Sequence, residues 1–278
     1  MAEKAGRWKS EVEISPTPLS ENSDSAIEGN DMNRFQRTKI LLGDDGFERL
    51  QNAHVAVFGL GGVGSYAAEA LARAGVGELT IVDFDKVNPT NINRQNIALE
   101  TTVGMQKSQA MAERIRLINP DCRLHVIDRF YEAANSDEII TTSFSAVIDA
   151  IDTFNSKIKL LVECKHKKIP IFSAMGAAGK IDPSQIRTGD ISKTIVCPLA
   201  KKVRKTLKQM NIHKGIPVVY SLEDPKPAMS HTLFSKDENE FNPGLERMIM
   251  GSISYIPAIF GLTIAGMVIN KLIKKEEL

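Results

Sequence analysis

The sequence contains little cysteine, and this scarcity excludes several classes of protein. The three cysteines among its 278 residues, Cys122, Cys164 and Cys197, stand far apart and form no CxxC pair. A disulfide-stabilised fold or a four-cysteine zinc site needs more cysteines at closer spacing. We therefore expect a protein of a reducing compartment, with a cytoplasmic location.

The chain also lacks an excess of charge of either sign and is poor in aromatic residues. It has 35 Lys and Arg against 34 Asp and Glu, a formal charge of +1, and only 6% aromatic residues. A polyanionic partner would have to be bound by a local basic surface, because the net charge supplies little attraction. The hydrophobic content of 42% is that of a globular protein rather than a fibrous or multi-span membrane protein.

Residues 1–32 lack hydrophobic periodicity. They are polar and rich in Ser and Glu, so they can bury too little apolar surface to offset the entropy of ordering. No apolar run follows the start, and the acidic residues are unlike those of an Arg-rich transit peptide. We expect a disordered tail here, followed by a folded region over residues 33–278.

One segment, residues 248–270, has no charged residue and is long enough to raise the question of a membrane span. Within it, Ser254 and Pro257 form a typical helix start. An apolar helix of about 14 residues would then remain, which is too short to cross a bilayer. We expect a helix buried against a sheet or a dimer partner, and no association with a membrane.

From residue 33 onward, short apolar runs alternate with helical patterns, as in a parallel sheet covered by helices on both faces. The pattern predicts strands over 54–58, 79–83, 124–127, 146–150 and 169–173, helices ending near 74 and spanning 107–118, 156–167 and 199–210, and a hairpin over 180–190. The expected fold class is α/β, a doubly wound and mostly parallel sheet with a C-terminal antiparallel and helical extension.

A glycine-rich motif directly follows the first predicted strand and opens a helix. Gly59, Gly61 and Gly64 form G-x-G-x-x-G, and Gly62 lies inside the motif. The glycines allow a tight turn, close approach of the backbone to phosphate and close packing of helix on strand. Asp83 ends the next strand, where a carboxylate can accept hydrogen bonds from ribose hydroxyls. The motif predicts a nucleotide site.

Two basic residues farther along favour a triphosphate over a dinucleotide. A triphosphate that loses pyrophosphate needs cations near its β and γ groups. Arg94 and Lys107 follow the second strand at suitable positions. The alternatives are a surface ion pair for Arg94 and an exposed first-turn lysine for Lys107.

This region resembles the ThiF/MoeB superfamily of adenylating enzymes, which is related to ubiquitin-activating enzymes. The matching residues are GLGGVG at 59–64, the aspartate-rich strand end at 83–85, Asn91, NRQ at 93–95, Lys107 and DAID at 149–152. The resemblance implies a Rossmann-like adenylating-enzyme fold that uses ATP and Mg²⁺. The implied roles are ribose binding for Asp83, nucleotide binding for Asp85, phosphate contacts for Asn91, Arg94 and Lys107, and control of Mg²⁺ and ATP for Asp152. Asp149 could instead cap its strand.

The segment over residues 33–43 resembles the part of these enzymes that reaches across a dimer and places an arginine on the partner's ATP. Arg34 and Arg37 are both candidates, and we include Arg37 among the expected catalytic residues. The alternative is that both are helix-surface arginines. The resemblance implies a homodimer, in which residues 33–175 form a nucleotide-binding half and 176–278 a substrate and dimer half.

The second half resembles the tRNA threonylcarbamoyladenosine dehydratase branch, with matching stretches at 173–183, 190–194, 198–204 and 254–261. That branch uses ATP to adenylate the threonyl carboxylate of the modified adenosine in tRNA and then cyclises it. Lysines and one arginine crowd the same region, at Lys201, Lys202, Arg204, Lys205 and Lys208. Such a cluster can neutralise several phosphates of an RNA, although a charge run can also be a solvated helix face.

Two other functions remain open from the sequence. An adenylating activator of a sulfur-carrier or ubiquitin-like protein would usually carry CxxC pairs or a reactive cysteine, and Cys197 is the one cysteine in a plausible loop. The resemblance also allows a sulfur-transfer protein as a further partner. An NAD-linked oxidoreductase would leave Arg94 and Lys107 without a role.

Overall fold

The computed structural model of the chain describes residues 34–226 and 250–274. The tail predicted over residues 1–32 lies outside this part. The described residues form seven α-helices and seven strands, which are, in chain order, α1 (Gln36–Gln51), β1 (His54–Phe58), α2 (Gly64–Ala74), β2 (Glu78–Val82), α3 (Lys107–Ile118), β3 (Arg123–Ile127), α4 (Ser136–Ile139), β4 (Ala146–Asp149), α5 (Phe154–His166), β5 (Ile171–Ala174), β6 (Ile186–Asp190), α6 (Pro198–Gln209), β7 (Pro217–Ser221) and α7 (Tyr255–Leu272).

The strands form one sheet in the order β3-β2-β1-β4-β5-β7-β6. Every neighbouring pair is parallel except β6 and β7, which are antiparallel. This confirms the predicted doubly wound, mostly parallel sheet with an antiparallel end. The strand order reverses between β1 and β4, and ligands of such sheets bind in the crevice at the carboxyl ends of the strands at that point.

The central strands are apolar on both faces because helices cover both. In β1, Val55 and Val57 belong to a core formed with α2, α3 and α7, while Ala56 and Phe58 belong to a core formed with α5 and α6. All four side chains are fully buried. Alternate side chains of this strand therefore pack into two different cores. This explains why its sequence is an unbroken apolar run and does not alternate between apolar and polar residues.

Helix α7 is the one described helix long and apolar enough to cross a membrane by length and composition, with a mean hydropathy of 1.5. It packs against α2 and against β4, β5 and β7. Seven of its residues are buried: Ile256, Pro257, Phe260, Gly261, Ile264, Ala265 and Val268. The structure agrees with a helix packed on the sheet, but its length of 18 residues corrects the expected 14. Pro257 lies in the first turn, where a missing N–H costs no hydrogen bond.

The prediction of a hairpin over residues 180–190 is wrong. Only β6 is a strand in this stretch, and its antiparallel partner is β7, which begins much later in the chain at Pro217. Before β6, Asp182 caps a 3-10 turn over Pro183–Gln185 by accepting a hydrogen bond from Ser184 N–H. A turn is therefore present, but the strand it leads into pairs with a distant segment.

Candidate nucleotide site

The glycine loop between β1 and α2 depends on glycine at two positions for different reasons. Gly59 has a φ of +85°, and a Cβ there would lie 2.7 Å from the carbonyl oxygen of Ala150. A Cβ on Gly64 would overlap the carbonyl oxygen of Gly59. By contrast, the nearest atom to a Cβ on Gly61 would be Gln95 Nε2 at 3.9 Å. The loop is thus tight at both ends and open in its middle, where a phosphate can approach the backbone.

Gly62 fills a role that the sequence did not reveal. A Cβ on this residue would lie 2.9 Å from Pro257 Cβ of α7 and 3.5 Å from Cγ of Arg94. The glycine loop is therefore held from outside by the start of the C-terminal helix and by the side chain of the predicted phosphate ligand. Only the folded chain brings these distant segments together, so no local pattern could have indicated the contact.

Asp83 follows β2 and connects it to the glycine loop. Its Oδ2 accepts a hydrogen bond from Leu60 N–H at 2.6 Å, and its Oδ1 accepts one from Asp85 N–H at 2.9 Å. Burial raises the pKa of Asp83 above its usual value, although the charge of Lys107 and these two amides oppose the rise. Each carboxylate oxygen can accept a further bond, so the fixed carboxylate fits the predicted ribose contact.

Lys107, the first residue of α3, is buried and not the exposed first-turn lysine of the alternative interpretation. Its Nζ lies 2.7 Å from Oδ2 of Asp85, and its N–H donates to the carbonyl oxygen of Asp85 at 2.9 Å. Asp85 is itself half-exposed. This pair fixes a positive charge beside Asp83 and next to solvent, where a phosphate can compete for it.

Asn91 and Arg94 are organised by a short 3-10 helix over Pro89–Asn91. Asn91 is buried, and its Oδ1 accepts a hydrogen bond from Asn88 N–H, so its amide nitrogen is the side-chain atom that can donate to a phosphate. Arg94 Nη1 donates to the carbonyl oxygen of Thr90 at 2.8 Å and to Oδ1 of Asn93 at 3.0 Å. Arg94 lies next to Gly62 of the glycine loop, and Asn91 belongs to the turn that precedes Arg94.

The two aspartates after β4 are placed very differently. Asp149 is fully buried; its Oδ2 lies 2.7 Å from Nζ of Lys157 and also accepts a hydrogen bond from the hydroxyl of Ser173. Asp152 is exposed in the loop before α5 and accepts a bond from the hydroxyl of Thr153 at 3.3 Å. Asp149 is thus a structural group whose lysine partner the sequence did not indicate, and only Asp152 has a carboxylate open to a ligand.

A family model described as the ThiF family matches residues 35–278. The chain belongs to the ThiF family. The tRNA threonylcarbamoyladenosine dehydratase of Bacillus subtilis (strain 168) is 40% identical over 247 residues, which is 89% of this chain and 97% of the relative.

Solved structures of a ThiF-type relative contain a nucleotide. The E. coli tRNA N6-threonylcarbamoyladenosine dehydratase in complex with ATP superposes with a TM-score of 0.75 at 39% identity, covering 86% of this chain and 93% of the other. The same enzyme in complex with AMP gives a TM-score of 0.76. The similarity confirms the Rossmann-like adenylating-enzyme fold.

Arg34 and Arg37, the two arginines predicted as candidates to reach a partner's ATP, differ in their contacts. Arg34 Nη1 donates to the carbonyl oxygen of Ile118 at 3.0 Å and so ties the beginning of α1 to the end of α3. Arg37 is exposed on the first turn of α1 and forms no hydrogen bond or ion pair with the residues that the structure describes. Both residues are exposed, and Arg37 is the one whose guanidinium has no partner among the described residues.

The basic residues of α6 lie beside the Asp152 loop. Four of them, Lys201, Lys202, Lys205 and Lys208, are exposed. Lys202 Nζ lies 4.0 Å from the ring centroid of Phe154, the first residue of α5. This contact places a cationic helix next to the carboxylate predicted to control Mg²⁺.

Arg204 differs from its neighbours on α6. It is half-buried, and its Nη1 donates to Oγ1 of Thr194 and to the carbonyl oxygens of Thr194 and Ile191. These bonds fix the turn that precedes α6, so Arg204 has a structural task that the sequence did not indicate. Cys197 lies at the end of the loop before α6, as predicted, and its side chain is buried.

Proposed function

We propose that this chain is an ATP-dependent tRNA threonylcarbamoyladenosine dehydratase of the cytoplasm. The observation that carries the proposal is the 40% identity that extends over 97% of a dehydratase of that name. The reaction adenylates the threonyl carboxylate of N6-threonylcarbamoyladenosine in tRNA and then cyclises it. ATP is consumed to AMP and pyrophosphate, and the nucleoside loses the elements of one water.

Binding of ATP is assigned to the groups around the glycine loop. The open backbone at Gly61 and the first turn of α2 receive phosphate, because a helix start without a side-chain cap favours an anion. Asp83 accepts hydrogen bonds from the ribose. Its two hydrogen bonds from backbone amides fix the carboxylate before the nucleotide arrives, so the side chain loses little conformational entropy on binding.

Adenylation is a displacement at the α-phosphorus. An oxygen of the substrate carboxylate forms the new P–O bond, and the bond from the α-phosphorus to the bridging oxygen breaks as pyrophosphate leaves. The negative charge that grows on pyrophosphate is stabilised by Lys107 and Arg94, with a donated hydrogen bond from Asn91. Lys107 donates a hydrogen bond to Asp85 in the structure. When ATP binds, its ammonium group shares its hydrogen bonds between Asp85 and the phosphate.

The carboxylates at the strand ends fit one Mg²⁺ ion carried in with ATP. Magnesium is typically bound by one or two carboxylates together with substrate phosphates and waters. Asp149 is buried and paired with Lys157, whereas Asp152 is exposed. Asp152 is therefore the carboxylate that would hold the ion, which is the role that the family resemblance implies. When bound, the ion neutralises charge on the departing pyrophosphate.

Cyclisation needs no nucleophile from the protein. The atom that attacks the activated carbonyl already belongs to the substrate, so high effective molarity replaces a covalent enzyme intermediate, and AMP leaves. The cysteines agree with this: Cys164 and Cys197 are buried, and burial raises the pKa of Cys122 to about 11. The second candidate, an adenylating activator of a sulfur-carrier or ubiquitin-like protein, would need a reactive thiolate or CxxC pairs.

The first helix supports a homodimer with shared sites. Ile40 and Leu41 on α1 are 77% and 82% exposed, although they are large apolar residues. Neighbouring Arg37 is exposed on the same helix. Covering the apolar pair with a second copy of the chain would carry Arg37 toward the partner's ATP, which is the role that the family resemblance implies.

Mass spectrometry of nucleosides tests the proposed reaction. Threonylcarbamoyladenosine-containing tRNA is incubated with the protein, ATP and Mg²⁺, and the modified nucleoside should lose the mass of one water. Lys107→Ala should abolish the change, whereas Lys86→Ala, an exposed lysine nearby, should retain it. ATP binding without any mass change would overturn the proposal in favour of the carrier-protein activator.

A further inference from the structure

We infer that the chain carries a second, separate ligand site: a transition-metal site formed by His54, Glu78 and His125. These three residues come from β1, β2 and β3, three neighbouring strands. Nothing in the proposed dehydratase reaction uses them. The ion that fits is a divalent metal with an affinity for imidazole, such as Zn²⁺.

The register of the sheet brings the three side chains to one face. His54 is directly opposite Glu78, and His125 is directly opposite Thr80, two residues after Glu78. Directly opposed residues of parallel strands point to the same face, as do residues two apart on one strand. The cluster is thus a consequence of strand pairing and not of a flexible loop that could adopt other arrangements.

The three candidate ligand atoms lie close enough together to surround one ion. His125 Nε2 lies 2.8 Å and His54 Nδ1 3.4 Å from the same oxygen of Glu78, Oε1. All three ligand atoms lie within 4.8 Å of one another. Metal–ligand bonds of about 2.0–2.2 Å imply ligand–ligand separations of roughly 3.3–3.6 Å in a tetrahedron. The separation of His54 Nδ1 from Glu78 Oε1 already fits such an edge, and that of His125 Nε2 from the same oxygen must widen by roughly 0.5 Å to admit an ion.

Outer contacts orient two of the ligands, as expected for a metal centre. His54 Nε2 lies 2.8 Å from the hydroxyl of Thr80, which leaves Nδ1 directed at Glu78. Arg123 donates from Nε and Nη2 to Oε2 of Glu78, at 3.1 and 2.6 Å, so Oε1 is the oxygen turned toward both imidazoles. Hydrogen bonds of this kind fix the tautomer and direction of metal ligands.

The cluster is open to solvent and distant along the strands from the nucleotide site. The side chain of His125 is 54% exposed, so an ion has a route in and water can complete its coordination. His54 and Glu78 begin their strands, whereas the glycine loop and Asp83 follow the ends of the same two strands. Two imidazoles and one carboxylate favour Zn²⁺, Co²⁺ or Ni²⁺ over Mg²⁺.

A bound ion would cross-link three strands of the sheet, so its effect should appear as stability as well as binding. Because a metal that binds only the folded state stabilises it by mass action, Zn²⁺ should raise the melting temperature of the chelator-treated, untagged chain. Titration with Co²⁺ should give the visible absorption of a tetrahedral site at one ion per chain, and Zn²⁺ should abolish it.

Two variants and one control decide the assignment. His125→Ala removes the exposed ligand and should weaken binding of Co²⁺ and Zn²⁺ at least tenfold, and Glu78→Gln should do the same. His166→Ala removes an exposed histidine of α5 and should bind both metals like the parent chain. Equal affinity in the parent and in His125→Ala, or no effect of Zn²⁺ on the melting temperature, would overturn the inference and leave the cluster as a hydrogen-bonded charge network.

Discussion

The ion pair between Lys157 and Asp149 connects α5 to the centre of the sheet without any contact with solvent. Lys157 Nζ also donates to the carbonyl oxygen of Ala174 at 3.0 Å, so the pair joins β4, β5 and α5. Removing one member of a buried pair leaves an uncompensated charge, which costs about 3–5 kcal/mol. We expect Lys157→Met to lower the free energy of unfolding by that amount in urea denaturation.

The same helix offers a matched control for this prediction. Lys159 forms an ion pair with Glu163 at 2.6 Å, but its side chain is 35% exposed. Exposed pairs contribute little, so Lys159→Met should change stability by less than about 1 kcal/mol. Similar losses in both variants would mean that burial of the Lys157 pair is not what stabilises the sheet.

Glu69 of α2 provides a pH-dependent contribution to stability. Burial raises the pKa of Glu69, but hydrogen bonds from Arg114 and Arg73 outweigh that effect and hold it below the ordinary glutamate value. A lowered folded-state pKa stabilises the fold above the unfolded pKa, and the contribution is lost as the pH falls through the folded value.

Replacement of Glu69 by Gln tests that contribution. At pH 7 the variant should be less stable by about 1 kcal/mol, since solvent screens the partly exposed pairs. The difference between the two proteins in urea denaturation should narrow as the pH falls below about 4.5. If the difference in free energy of unfolding stays constant down to acidic pH, the loss of stability comes from altered packing and not from the lost charge.

At the scale of elements, the crossing of α7 over α2 depends on one glycine. A Cβ on Gly261 would overlap the carbonyl oxygen of Val63 and lie 2.9 Å from Cβ of Tyr66 and 3.1 Å from the backbone nitrogen of Ala67. Backbone atoms cannot move aside without shifting α2. We expect Gly261→Ala to destabilise the fold by about 1–3 kcal/mol in thermal and urea unfolding, and to raise KM for ATP.

Gly266, farther along α7, offers the opposite case, because a Cβ added there would meet no atom of the described residues within 4 Å. The same substitution at this position should stabilise the protein by up to about 1 kcal/mol, because alanine is the better helix former. Opposite signs for two Gly→Ala changes on one helix would isolate packing as the cause. If both substitutions destabilise the protein, close packing at Gly261 does not by itself explain the loss of stability.

Most elements could be predicted from the sequence because their signals are local. Strand β1, helix α3 and helix α6 agree with their predicted ranges to within one residue, since buried strands form continuous apolar runs and helices have clear ends. Strand β7 was not predicted, and its partner β6 was assigned to a hairpin. Pairing between segments far apart in sequence is a tertiary property, and the sequence near residue 186 does not contain it.

The site shows the same division between local and distant information. The turn at Gly59 and the strand-end position of Asp83 follow from local pattern, and the family resemblance supplied Lys107 and Asp152. The contact of Gly62 with Pro257, the ion pair of Lys107 and the loop bonds of Arg204 come from chain segments that only the fold brings together. The roles assigned to these residues in catalysis and RNA binding stay predictions.

At the scale of the whole molecule, the exposed lysines of α6 predict how tRNA binding responds to salt. Each phosphate contact that a lysine makes contributes a slope of about 0.7–0.9 to the dependence of log K on log salt concentration. We expect the quadruple alanine variant at Lys201, Lys202, Lys205 and Lys208 to reduce the measured slope by about 3.

Arg204 is left in place in that variant because its loss would disturb the turn before α6. Alanine at Lys271 and Lys274, which are exposed at the end of α7, should leave the slope unchanged and so serve as the control. If the quadruple variant keeps the parent slope, α6 is a solvated helix face and tRNA binds elsewhere.

A shared active site in a homodimer predicts complementation between two inactive variants. Arg37→Ala and Lys107→Ala should each abolish dehydration of the nucleoside. Refolded together, they should form mixed dimers with one complete site, and about a quarter of the parent activity should return. Arg34→Ala should remain active on its own, because the guanidinium of Arg34 is bound to Ile118 of its own chain.

No recovery in the mixture, with dimers present by light scattering, would mean that Arg37 does not act across the interface. If light scattering shows that the parent protein is a monomer, the proposed homodimer is wrong. The two results are distinguishable because the first concerns activity alone and the second concerns mass.

Helix α7 follows every other described element in the chain, yet it packs on α2 and on three central strands, and Pro257 rests on the glycine loop. A ribosome synthesises the nucleotide-binding strands first, and they must wait with their apolar faces uncovered until residues beyond Gly261 emerge. Nascent chains are therefore exposed to aggregation for most of their synthesis and are candidates for chaperone assistance. The contact of Pro257 with the glycine loop forms only after that delay, because Pro257 belongs to the last described helix.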